Sequence, residues 1–556
     1  MDIPNAGRLS IGFLGAEKID LHLSKKGLEY KKPFNYRKYL GVVFALLVAS
    51  LMVAIFGALI FTPKAPDASQ MPINIAHLVR MGLIQATLST LLSLIVGILV
   101  AWSLDRLRFF GRSFIISMLA TAIVAPGLVV ALGLISVWGR TGIVNEIADL
   151  FFFDWSGNIF GLGGIILAHT ILNGAFASHI LLSRLGAIPE QRLKLAQSLN
   201  PGSWRRFIIV DWPAFASALP SLGSIIFLLT FTSFPIVLLL GGGPANQTLE
   251  VAIYSLVRLD FDLKSAATLA LVQLGICVII ILPTLATTPS FSPAGNTSPR
   301  HWPDRGIIKF TQWAILLLAI IMFASPLVTI LQKGLGSGFL TTISRPSFLM
   351  AAKNSALLGS FSAFITLFIA IRIAMANAAI TSKSARTFLL LPIFSYLVMP
   401  SVVLALGFFI TAKNLGISSA IAAPIVLIIA NVLLALPFAY ATIAPALTAI
   451  HKRYDKQARA LNIGGFTRWH LIERPLLGRE IGLALAMAFA FSLGDLGIIS
   501  LFGTEQFSTL PWQMFRAMGA YRNNDAATIA AIMLLVSLLV FLLLPYLLKG
   551  SRHAKN

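Results

Sequence analysis

Asp495 stands inside an apolar run, between Gly494 and Gly497. If that run crosses a bilayer, a charge there costs about 2.5–3.5 kcal/mol, so an ionisable residue in such a place is a functional candidate by default. Two roles fit it. An acidic side chain facing a central path lowers the barrier to a cation. The same side chain could instead bond backbone freed at a helix break. It is the one carboxylate well inside an expected span, and Ser233 fills the matching slot in an earlier block of the chain. His169 and His179 are ten residues apart, which sets them well apart around a helix and gives no shared metal face. Both are expected to tie spans together as hydrogen-bonded packing residues. Cys277 is the sole cysteine, so no intramolecular disulfide and no cysteine-rich metal site is expected, only a small core or lipid-facing residue. A Walker A pattern is missing from the sequence, so ATP is not expected to bind this chain in that way. The chain is expected to carry no catalytic residues, metal or cofactor of its own.

The elements that position these residues follow from composition. Of 556 residues, 57% are hydrophobic and 12% charged, where a soluble domain carries about 25% charged residues. The apolar excess needs a bilayer. The net charge of +22 would suggest nucleic acid in a soluble protein, but no soluble domain is large enough to present a basic face. Between apolar runs, basic residues instead orient a membrane protein. The first apolar run begins near Tyr39, behind a leader containing Lys25, Lys26, Lys31, Lys32, Arg37 and Lys38. That run is expected to stay as an anchor rather than be cleaved as a signal.

A span needs about 20 mostly apolar residues. Twelve runs qualify: Tyr39–Phe61, Leu83–Leu104, Phe114–Ser136, Gly163–Leu185, Ala218–Leu240 and Ala266–Ala286, then Trp313–Leu331, Asn354–Ala376, Phe388–Ala412, Ala420–Pro445, Ile481–Leu501 and Ala527–Leu547. The expected organisation is a first half over 1–286 (core 79–286), a cytoplasmic Pro/Ser/Thr-rich linker over 287–312, and a second half over 313–556 (core 350–547). With both termini placed in the cytoplasm, inside segments hold about three times as many Lys and Arg as outside segments. The halves align: Ala125-Pro-Gly-Leu-Val-Val-Ala-Leu-Gly133 matches Met399-Pro-Ser-Val-Val-Leu-Ala-Leu-Gly407, 274 positions on. Later blocks match 262 positions on, and Asp149–Phe160 is the expected insertion in the first half, its aromatics suited to the membrane interface. Both halves start on the same side, so the repeats are parallel. The expected fold is an all-α polytopic membrane protein of about 12 transmembrane helices in two pseudo-symmetric six-helix halves.

The duplicated loop after the fourth span is the strongest motif. Lys194-Leu-Ala-Gln-Ser-Leu-Asn200-Pro-Gly-Ser-Trp204 runs on to Pro213, and Lys456-Gln-Ala-Arg-Ala-Leu-Asn462-Ile-Gly-Gly-Phe466 runs on to Pro475. Ala196/Ala458, Leu199/Leu461, Gly202/Gly464 and Trp204/Phe466 fall in matching slots. A short helix, a turn and a second helix would display Leu199, Trp204 and Phe207, or Leu461, Phe466 and Trp469, as an apolar knob with aromatic anchors. A basic amphipathic helix lying on anionic lipid is the competing reading, and exact duplication weighs against it.

The pattern resembles the EAA loop of ABC importer permeases of the type I fold. Lys194 and Lys456 stand where that family usually has Glu, and Asn200 and Asn462 where it has Gly; Asn tolerates the left-handed turn that Gly supplies. Two further stretches are similar to the fused thiamine permeases of bacterial ABC importers: Phe231-Thr-Ser-Phe-Pro running to Gly241-Gly-Gly-Pro244, and Gly494-Asp-Leu-Gly497 followed by Phe502-Gly503 and Thr509-Leu-Pro511. The resemblance implies an inner-membrane transport subunit rather than an enzyme. Its implied partners are a cytoplasmic ABC ATPase, in two copies and carrying ATP and Mg, a periplasmic binding protein, and lipid. The implied substrate is thiamine or its phosphates, moved by alternating access. Ferric iron permeases share the architecture and are the alternative substrate class. An ion-coupled secondary transporter is the alternative mechanism; inverted repeats and paired intramembrane charges would favour it.

Overall fold

In hydrocarbon a backbone must satisfy its own hydrogen bonds, which leaves long apolar stretches the choice of helix or closed barrel. This chain takes helices. The computed structural model describes residues 36–62, 74–122, 124–140, 142–150, 158–199, 201–281, 302 and 304–549. The principal helices of the first half are α1 (Tyr36–Ile60), α2 (Ile75–Arg106), α3 (Arg112–Thr121), α4 (Gly127–Trp138), α5 (Leu162–Gly186), α6 (Glu190–Leu199), α7 (Leu219–Phe231), α8 (Pro235–Leu240), α9 (Leu249–Arg258) and α10 (Leu263–Ile281). Those of the second half are α11 (Ile307–Gly334), α12 (Pro346–Ala379), α13 (Lys383–Ser395), α14 (Ser401–Asn414), α15 (Ser419–Ala460), α16 (Gly478–Gly494), α17 (Gly497–Phe502), α18 (Leu510–Gly519) and α19 (Asn523–Leu547). The outer faces carry large apolar side chains. On α12, Leu357, Phe361, Phe364, Ile365 and Phe368 are all exposed at helical spacing, the inverse of a helix bathed in water. This is a multi-pass membrane protein.

The span count differs from the twelve expected. Among the described residues ten helices are long and apolar enough to cross a membrane, or eleven if the pair Ser203–Ala216 and Leu219–Phe231, bent by 55°, is one span. The run Phe388–Ala412 is the one that fails: it is two short helices, α13 and α14, interrupted before Pro400. Phe114–Ser136 is broken likewise, with α4 starting after Pro126. Proline lacks the N–H and pushes its predecessor out of the helical region, so the same Pro in both copies of the motif stops both helices at one place. The expected stop at Pro445 is corrected: α15 runs unbroken for 42 residues with Pro424, Pro437 and Pro445 inside it, as membrane helices tolerate where neighbours satisfy the freed carbonyls. Of the linker expected over 287–312, only Trp302 and 304–312 are described, and α11 begins at Ile307 because Ile307, Ile308 and Phe310 extend its apolar run. The rest of the linker, the leader 1–35 and most of the aromatic insertion (151–157) lie outside the described residues.

The first helix of each half packs on the other half. A Cβ added to Gly133 in α4 would meet Pro326 of α11 at 2.7–3.0 Å, and one added to Gly407 in α14 would meet the Ile55 side chain of α1 at 2.5 Å. The repeated Ala-Leu-Gly therefore marks two equivalent close crossings. Gly407→Val is expected to cost about 1–3 kcal/mol through overpacking, read as a lower thermal unfolding midpoint of the purified protein.

Candidate functional site

Four broken helices converge between the halves. Helix α7 ends at Phe231 and α8 resumes at Pro235, with Ser233 in the gap; α16 ends at Gly494 and α17 resumes at Gly497, with Asp495 in the gap. A Cβ on Gly494 would touch Pro126 at 3.1 Å, and one on Gly497 would collide with Ser401 Oγ at 2.1 Å. The second-half break is thus pressed against both proline breaks, and small residues permit it. A cavity of about 320 Å³ lies at this junction, lined by Pro126, Thr232, Met399, Ser401, Asn431 and Asp495. Asp495 accepts a hydrogen bond from the Ile498 backbone N–H, 3.1 Å to Oδ2, so it does cap the resumed helix. It is also half-buried against the cavity. The two roles expected of it are compatible in one geometry.

A second cavity, about 460 Å³, adjoins the first; Ala125, Gly127, Leu229, Phe438 and Phe491 line both. It reaches Arg479 and Pro545, close in sequence to the second duplicated loop and the end of α19. Ser233, His169 and His179 line it. His169 makes the contact between helices expected of a packing residue, with Ser93 Oγ donating to its carbonyl at 3.4 Å, and the cavity is a second environment for both histidines. His169 Nδ1 lies 3.5 Å from Ser89 Oγ, a long contact, but both rings look into the cavity. Ten residues leave them about 80° apart around the helix and 15 Å along it, on one broad face but too distant to share an ion. Glu250 was overlooked in the sequence because it sits between spans; it is wholly buried on α9 and accepts from Gln273 Nε2 at 3.1 Å. Cys277 is buried.

The duplicated loops have one design. After α6 come a helical turn Ser203–Arg206 and a π-turn Phe207–Asp211; after α15 come Gly465–Arg468 and a π-turn Trp469–Glu473. The π-turns fall at matching positions, an irregularity common at functional sites. Leu199 (73%), Trp204 (72%), Leu461 (70%) and Phe466 (75%) are exposed, while Ala196 and Ala458 are buried beneath them. Trp204 stacks on Phe207 with centroids 5.9 Å apart, and Phe466 on His470 at 6.0 Å. Asn462 has φ 50°, the left-handed turn conformation; Asn200 lies outside the described residues. Gly202 and Gly464 directly precede the second turn of each loop, and Pro213 and Pro475 sit in the first turn of the helix that leads away. Lys194 pairs with Glu190 at 2.9 Å, both well exposed, and Lys456 is exposed.

What anchors each loop differs. Beneath the first, Arg206 and Arg106 both meet Asp304, and Arg106 also meets Asp211. Gln312 Nε2 donates to Asp304 at 2.9 Å, and the Trp302 ring lies under both guanidiniums at 5.3 and 4.7 Å. Burial alone would raise the Asp304 carboxyl, but hydrogen bonds from Gln312 and Arg206 and the charges of Arg106 and Arg206 hold it below its usual value. Beneath the second loop the clasp is local: Arg468 bonds Glu473 at 2.9 Å and Asp455 at 2.7 Å, and His451 meets Glu473 at 3.0 Å. Asp211 and Glu473 correspond in the repeat, as do Arg206 and Arg468, whereas Asp304 comes from outside it.

No family model matches the chain. The thiamine transport system permease protein ThiP of Salmonella typhimurium is 31% identical over 526 residues, 93% of this chain and 97% of that protein. Its counterpart of the same name in Brucella melitensis is 34% identical over 459 residues, 82% of this chain and 84% of that protein. The chain belongs to the ThiP family of transport permeases. The molybdenum transport system permease protein ModB of Escherichia coli is 27% identical over 219 residues, 89% of that protein but 37% of this chain. Most of a shorter permease thus corresponds to less than half of this ThiP-family chain, and the ABC permease fold expected from the loops is borne out.

Proposed function

We propose that the chain is the membrane-spanning permease subunit of an ATP-driven ABC importer that carries thiamine into the cytoplasm across a bacterial inner membrane. The observation that carries this reading is the match to thiamine transport permeases along nearly the whole chain. The same relatives favour thiamine over the ferric iron alternative. Two related halves, 1–286 and 313–556, form the path between them. Hydrolysis belongs to a separate ATPase, present in two copies, and a periplasmic binding protein delivers the substrate. Both termini are cytoplasmic. The exposed aromatics Trp204 and Phe466 support two docking knobs, Lys194–Pro213 and Lys456–Pro475, and the π-turn behind each leads on toward the broken helices α7 and α16. ATPase closure draws the knobs together, and the path alternates between its two ends. Thiamine carries a permanent thiazolium charge, which Asp495 meets at the junction of the breaks, while the uncharged Ser233 lines the adjoining chamber.

The test is uptake of labelled thiamine by proteoliposomes holding the chain, its ATPase and its binding protein. ATP-dependent uptake is expected; uptake that persists on an ion gradient without ATP would defeat the reading. Trp204→Ala combined with Phe466→Ala is expected to reduce ATPase co-purification at least tenfold, since buried aromatic anchors carry about 2 kcal/mol or more each.

A further inference from the structure

We propose that the larger chamber holds a second substrate subsite on α5, where Asn173, His169 and His179 take the neutral heteroaromatic end of an organic cation whose charge is met at Asp495. This rests on the thiamine reading above and names how the substrate's other ring is recognised.

Positions 169, 172, 173, 176, 179 and 180 of α5 all line the chamber, a stripe at three- and four-residue spacing. Its polar members are deeply placed: His169 is 2% exposed and His179 8%. His169 Nε2 and His179 Nδ1 have no hydrogen-bond partner among the described residues. Buried polar atoms are normally paired, and those that are not call for a ligand, a water or a catalytic use. Phe176, Phe438 and Phe491 supply apolar wall, with the Phe438 and Phe491 rings 5.0 Å apart between the two chambers. Repeat symmetry supplies an internal control. The second-half counterparts of Asn173 and His179, 262 positions on, are Ala435 and Ala441, so the fold does not need polar groups at these positions to pack.

The chemistry fits an aminopyrimidine. Such a ring offers an amine donor beside a ring-nitrogen acceptor, and an Asn amide carries the complementary acceptor and donor. An imidazole also presents both functions. Aromatic walls suit the faces of a flat ring. The chambers adjoin through shared lining residues, and in this proposal the cationic ring lies on the Asp495 side and the other ring on the α5 stripe.

The test uses the permease–ATPase complex in nanodiscs, nucleotide-free and without binding protein, with labelled thiamine measured by equilibrium dialysis. Oxythiamine, in which oxygen replaces the pyrimidine amine, is the competitor. Wild type is expected to prefer thiamine at least tenfold, because a site built to pair a donor rejects the analogue that lacks it. Asn173→Leu with His179→Leu is expected to weaken thiamine about tenfold and erase the preference. The milder Asn173→Ala, which copies the residue at the matching second-half position, should show the same direction, provided that it elutes as a monodisperse complex with ATPase. Asp495→Asn is expected to weaken both compounds alike and keep their ratio. Variants that retain wild-type affinity and preference, or a wild type without saturable thiamine binding, would overturn the subsite. ATP-driven thiamine uptake by the same wild-type complex with its binding protein separates the two readings: uptake with an unchanged preference in the variants sinks the subsite alone, and absent uptake sinks the thiamine reading.

Discussion

Asp495→Asn is expected to lower ATP-driven thiamine uptake by at least a hundredfold in reconstituted complexes while leaving assembly intact. The asparagine amide oxygen can still accept the Ile498 N–H bond that caps α17, so the helix break survives and only the charge is lost. Inside a membrane, replacing an ion pair's worth of attraction with a neutral dipole removes several kcal/mol: about 4 kcal/mol for unit charges 4 Å apart at an effective dielectric of 20. Each 1.4 kcal/mol is about tenfold in a rate or equilibrium constant. Asp495→Leu removes charge and cap together and should also lower the unfolding midpoint. Uptake, ATPase co-purification and thermal unfolding measured on both variants separate the roles. Normal uptake by a well-assembled Asp495→Asn complex would sink the cation role and leave only the cap.

Asp304→Ala is expected to cut thiamine uptake about tenfold or more and to lower the thermal midpoint, with a larger loss in uptake than in ATPase turnover. Asp304 meets both Arg106 and Arg206, and all three side chains are 5% exposed or less. Removing it takes the carboxylate from the buried Arg206 guanidinium, while Arg106 keeps Asp211, and breaking a buried pair in this way costs about 3–5 kcal/mol. The first loop would then lose its tie to the start of α11 and keep only the Arg106–Asp211 pair to α2, while the second loop, clasped by Asp455 and Glu473, would keep its own. The two loops should therefore respond unequally: the matching change at Asp455, half-buried and near the surface, is expected to be milder. Uptake per ATP hydrolysed is the measurement, and equal effects at both positions would defeat the asymmetry. The pH sense follows from the lowered Asp304 carboxyl. Its contribution is present above the ordinary carboxylate value of 3.8 and is lost only as pH falls through the lower folded value. The clasp is thus insensitive to pH near neutrality.

Much of this was legible in one dimension. Apolar runs located nearly all the membrane helices because hydrocarbon leaves the backbone so few options. The duplicated loops were legible because their spacing is identical, and Asn462 adopts the left-handed turn that its type suggested. Asp495 drew notice because charge is rare in an apolar run. Other features were not legible. Pro126 and Pro400 break helices while Pro424, Pro437 and Pro445 do not; the difference lies in which neighbours satisfy the freed backbone, and that is a property of packing. Trp302 and Asp304 read as plain linker because their partners, Arg106 and Arg206, are roughly 100 to 200 positions away in the chain and long-range pairing leaves no local pattern.

The sequence by itself determined that the chain is helical and membrane-embedded, that its blocks repeat in parallel, and that two loops carry matching aromatic knobs. These properties depend on hydropathy and periodicity, which are local. Only the tertiary structure decided that the breaks flanking Ser233 and Asp495 meet the proline breaks at one junction, that His169 and His179 face a shared chamber, and that each half's first helix packs on the other half. Those are contacts between distant segments, set by how closely small residues such as Gly494, Gly497 and Gly407 let backbones approach, and no reading along the chain contains that distance.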